Sequence, residues 1–84
     1  MDHEAVMSTF AEFIESEHLN TRQINFMNKV IAYVEKNGYI SSSNLLKPPF
    51  DKPASFLDLF TEIQQRHLIN TLKGVRDNAE HAAA

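Results

Sequence analysis

The 84-residue sequence predicts an all-α fold, a small bundle of three main helices plus one or two short helical turns in the connector. Three observations lead there. Apolar residues recur at helical spacing in three separate stretches. Capping residues and a glycine mark where those stretches start or stop. The segment between the second and third stretches carries three prolines, which keep it from continuing as helix.

The first stretch, EAVMSTFAEFIESEH, places Val6, Phe10, Phe13 and Ile14 on one face. Its other face is acidic and reads as a solvated surface. The second stretch is the organising one. Asn20 is a favoured N-cap and Gln23 stands three positions on, where its side chain reaches back to the cap amide. Leu19 and Ile24 have the spacing of a hydrophobic staple. Ile24, Met27, Ile31 and Val34 then form an apolar stripe, widened by Phe26, Val30 and Tyr33. Gly38, after Asn37, supplies the left-handed stop, so helix is expected over Thr21 to Asn37.

In the connector, Ser41 or Ser42 can cap a short turn through Asn44, Leu45 and Leu46, ending before Pro48. Tyr39, Ile40, Leu45, Leu46 and Phe50 are expected to cover the open end of the core. Pro48, Pro49 and Pro53 lower the entropy lost on ordering this segment. Ser55 offers a cap to FLDLF, with Asp58 in the capping-box position. Two readings follow for the last stretch, which is expected to fold back: a fresh helix capped by Thr61, or one continuous helix from Phe56. Ile63, Leu68, Ile69, Leu72 and Val75 lie roughly on its inner face. Asn20, Gln23 and Gly38 are thus assigned to caps, and Phe26, Ile31, Val34, Phe50 and Phe60 to the core. One domain spans 1–84, with an ordered core at about 5–77 and a disordered tail at 78–84.

Net charge is −3, unevenly placed. Residues 1–19 hold five acids and neither Lys nor Arg, whereas 20–84 hold all eight basic residues and the other six acids, a balance of +2. A dedicated DNA-binding domain carries a larger basic excess. No apolar run nears the roughly 20 residues of a membrane helix. Met1-Asp2-His3-Glu4 lacks the basic start of a signal peptide. Without cysteine there is no disulfide framework, and a soluble cytoplasmic domain is expected.

Catalytic chemistry is sparse. His3, His18, His67 and His81 include no pair at metal-ligand spacing. Ser41-Ser42-Ser43 lacks the glycines of a nucleophile elbow, and two glycines cannot build a phosphate loop. No catalytic or metal residue is assigned. Arg22, Lys29 and Lys36 recur at seven-residue intervals on nearly one line of the central helix. Arg66, Lys73 and Arg76 form a comparable set on the last helix, and packing decides whether the two merge.

The order Leu19-Asn20-x-x-Gln23, the helix ending at Asn37-Gly38, then Ile40, Leu45, Pro49-Phe50, and Leu57 and Phe60 of SFLDLF resembles a known family. It is similar to the C-terminal domain of the R (restriction, or motor) subunit of type I restriction-modification enzymes, from about Phe10 to about Asp77. The resemblance implies a helical module that helps dock the R subunit onto a methyltransferase core of modification and specificity subunits. It implies that the nuclease and two ATP-hydrolysing motor domains lie elsewhere. This chain would then be non-catalytic and hold no cofactor, with ATP and magnesium belonging to those domains. An excised fragment, or a natural short protein beginning at Met1, would both fit.

On that basis Arg22, Lys29, Lys36 and Lys47 are the candidate partner-binding residues. The expected partners are the modification subunit and the rest of the R subunit, with DNA reached through the complex and no membrane. Two other readings stand beside this one: a DNA-contacting accessory domain of the motor, and an unrelated free-standing helical adaptor.

Overall fold

The computed structural model describes the backbone of residues 3–83 and the side chains of residues 3–77. It contains α1 (His3–Ser16), α2 (Thr21–Asn37), a 3-10 turn (Ser42–Leu46), α3 (Phe56–Leu59) and α4 (Glu62–Ala83), with no strand among the described residues. The expected all-α bundle of three main helices is therefore observed, with two short helical pieces between the second and the last.

The starts of α2, α3 and α4 each have a local chemical cause. The Asn20 side chain accepts the Gln23 amide at 2.9 Å, and Gln23 Oε1 accepts the Asn20 amide at 3.0 Å, a reciprocal capping box. Ser55 Oγ accepts the Asp58 amide at 3.3 Å to start α3. The last stretch is broken: Thr61 Oγ1 accepts the Gln64 amide at 3.2 Å, and Gln64 Oε1 accepts the Thr61 amide at 3.0 Å. A fresh box thus opens α4. At the end of α2, Gly38 has φ 92°, and its amide donates to the Val34 carbonyl at 2.7 Å.

α1 packs on both α2 and α4. Gln23, at the start of α2, bonds to Gln64, at the start of α4. Ile40, just beyond the end of α2, shares a recess with Leu72 and Arg76 far along α4. α2 and α4 therefore run in the same direction. The return journey is made by the connector, not by the last helix.

The connector consequently forms a wall of the core. Ile40, Leu45, Phe50, Phe56 and Phe60 are all buried along it. Phe50, Phe56 and Phe60 converge on Phe26, with ring centroids 6.0, 5.9 and 5.4 Å away. From the other side Val6, Phe10 and Phe13 of α1 and Leu68, Leu72 and Val75 of α4 complete the core with Met27, Val30 and Val34.

Several expectations need correction. Tyr39 and Leu46 are about half exposed, so only Ile40, Leu45 and Phe50 of the five apolar connector residues close the core. Ile31 is partly buried at the margin of the core and not within it. Ile63 is 77% exposed. Its cause is angular: five residues before Leu68, it lies about 140° around the helix from that buried position. The backbone of α4 extends through residues 78–83, the segment for which a disordered tail is expected. Ala84 and the side chains of that segment lie outside the described residues.

Candidate partner-binding cleft

The first turns of α2 and the connector around Pro53 enclose a cleft of about 240 Å³. Its apolar lining is Phe26, Leu59, Pro53 and Ala54. Arg22, Asn25, Lys29 and Lys52 supply its polar lining, and no carboxylate is among them. Helical spacing explains the α2 contribution, because 22, 25, 26 and 29 lie on one face. The connector contribution is positioned by a specific bond: Lys29 Nζ donates to the Lys52 carbonyl at 2.8 Å.

The same lysine belongs to two shallower neighbouring recesses. One holds Lys36 with Ala32, Tyr33, Asn37, Pro49 and Phe50. The other holds Lys52, Asp51 and the three connector prolines. Phe50 is anchored beneath this surface by Tyr33, whose ring lies edge-on at 5.8 Å. Ion pairs among the described residues occur elsewhere, at Glu17–His67 and Arg76–Asp77. Among the described residues the cations of the cleft make no ion pair, and a carboxylate of this surface, Asp51, lines the adjoining recess with Lys29 and Lys52.

Of the four residues singled out from sequence, Arg22 and Lys29 line one cleft, and Lys36 adjoins it through the recess shared with Lys29. Lys47 is exposed and lines none of these surfaces. Lys52 was missed because it stands in the connector, where no periodicity points to α2. Asn25 carried a usable signal, three residues beyond Arg22 on the same face. The basic residues of α4 do not join the set. Lys73 and Arg76 line a separate recess of about 70 Å³ with Ser41 and Ser42, so the two basic stripes remain distinct.

A second polar constellation is structural. Gln23, only 7% exposed, donates from Nε2 to the Leu59 carbonyl at 2.8 Å and to Gln64 Oε1 at 3.3 Å. The capping boxes of α2 and α4 are thereby fused into one network beside the cleft floor. Glu17 and His67 form a further link, Oε2 to Nδ1 at 2.6 Å, with the imidazole edge-on to Phe13 at 4.9 Å. Among the described residues, no group of three metal-ligating side chains converges. None of the helices in that range is long and apolar enough to cross a membrane.

A family model described as EcoEI R protein C-terminal matches residues 2–76. No curated protein and no solved structure matches the chain.

Proposed function

This chain belongs to the EcoEI R protein C-terminal family, the C-terminal domain of the R subunit of type I restriction enzymes, and from that premise we propose that it docks the subunit onto the modification–specificity methyltransferase core. In this reading the domain is non-catalytic and cytoplasmic. ATP and magnesium serve the motor and nuclease domains, and DNA is engaged through the assembled complex.

The observation that supports docking most directly is the cleft itself. Arg22, Lys29 and Lys52 surround an apolar floor, and no carboxylate of the same cleft neutralises them. Complementary charge across an interface steers association and fixes register, while a desolvated apolar centre supplies affinity. Lys36 extends the positive surface. Lys47 is retained as a peripheral contact.

The test is co-elution of the chain with its cognate modification–specificity complex on a sizing column, at moderate and high salt. Parent protein is expected to co-elute at moderate salt. Reversing Arg22, Lys29 and Lys36 to Glu should abolish co-elution while circular dichroism stays helical. Separate elution of the parent, or undiminished co-elution of the reversed protein, would refute the proposal.

A further inference from the structure

The docking reading leaves open what the partner presents, and the chemistry of the cleft narrows it. The floor formed by Phe26, Leu59, Pro53 and Ala54 offers no charge, whereas Arg22, Lys29 and Lys52 stand around it. A surface made to follow a duplex backbone needs cations in a hydrated row, and each phosphate neutralised adds to a steep salt dependence. Here the cations surround a pocket suited to a side chain, and the chain as a whole is acidic, at −3. An extended segment bearing carboxylates on either side of one apolar anchor satisfies both parts together.

We propose that this cleft receives an acidic peptide segment of the partner, with one aromatic or branched aliphatic side chain seated on Phe26, Leu59 and Pro53. Its flanking carboxylates pair with Arg22 on one side and with Lys29 and Lys52 on the other. The Lys29 bond to the Lys52 carbonyl ties the Lys29 side chain to the connector backbone before the partner arrives, which reduces the ordering cost of binding. Asn25 offers an amide to the peptide backbone between them. The inference rests on the docking reading but concerns a site that can be probed without the complex.

The probe is the synthetic hexapeptide Glu-Asp-Phe-Leu-Asp-Glu, titrated into the isotope-labelled full chain and followed by amide chemical shifts. Two control peptides replace either the four acids by Ser or the Phe-Leu pair by Gly-Ser, and a short DNA duplex is a third ligand. Shifts are expected at Asn25, Phe26, Lys29, Ala54 and Leu59. Each control peptide should bind about tenfold more weakly, as should the probe to Arg22→Glu or Lys52→Glu protein. Ala54→Trp, which fills the cleft, should block the probe while leaving the remaining amide spectrum intact.

Equal binding of either control peptide, tighter binding of the duplex, or shifts confined to other surfaces would overturn the proposal. So would self-association of the chain that produces the same shifts without any peptide, since the occupant would then be a second copy. No response to the probe would also overturn it. The two readings separate cleanly: co-elution with the methyltransferase core that survives Ala54→Trp would keep docking and reject the cleft.

Discussion

Replacing Phe60 by alanine is expected to cost about 3–5 kcal/mol, the range for truncating a buried phenylalanine. Phe60 is 3% exposed, and its ring lies 5.4 Å from that of Phe26 and 5.5 Å from that of Phe56. It also stands at the break between α3 and α4, where its carbonyl accepts Gln65 Nε2 at 2.9 Å. The void left by its ring would open beneath the connector, which cannot collapse inward without releasing Phe56 and Phe50 from the same cluster. A domain of this length has about 4–13 kcal/mol of stability in total, so the variant should melt far below the parent or fail to fold. Thermal melts by circular dichroism decide the matter. A midpoint within a few degrees of the parent would contradict the assigned packing, and Leu57→Ala, at a 57% exposed position, is the control expected to change little.

The second large effect is expected at Gln23. Its side chain accepts from the Asn20 amide and donates to the Leu59 carbonyl and to the Gln64 side-chain oxygen. Gln23→Ala removes all three partners, and a loss of about 2 kcal/mol follows from unpaired groups at a largely buried position. Gln23→Glu is the more diagnostic change. A carboxylate can still accept from Asn20 but cannot donate to Leu59 or Gln64. Facing those two oxygens, the carboxyl would titrate above the usual glutamate range. The folded state would then bind the proton more tightly than the unfolded one, so the deficit should be largest at neutral pH and shrink as pH falls through that titration. Chemical denaturation at neutral and acid pH tests this. A Gln23→Glu deficit independent of pH would contradict the placement of this side chain against the Leu59 and Gln64 oxygens.

These two residues also mark what could be read from sequence. The capping of α2 by Asn20 and Gln23 was legible because it is a contact across three residues, governed by local geometry. Thr61 and Gln64 repeat the same spacing, so the sequence held the signal for the break before α4, although it left a continuous helix standing beside it. The bond from Gln23 to Leu59 was not legible, since the two are 36 positions apart and nothing local joins them. The same holds for Glu17 and His67, 50 positions apart, and for Lys29 and Lys52. Apolar spacing indicated which faces of α1 and α2 turn inward. It could not fix the direction of α4, because the connector was read as a cover for one end of the core and not as a wall running back along it. Half of the cleft lining was invisible for that reason.

The first turn of α2 holds Arg22 and no acidic residue. The aligned peptide dipoles give that end of a helix a partial positive charge, which favours anions and disfavours cations by about 0.3–1 kcal/mol. Arg22 therefore stands where the helix, considered alone, would prefer a glutamate. Arg22→Glu should make the isolated domain slightly harder to melt while removing its hold on the partner. Stability and assembly would then move in opposite directions at one residue. A paired measurement of melting and co-elution would read Arg22 as kept for its partner at the expense of its own helix.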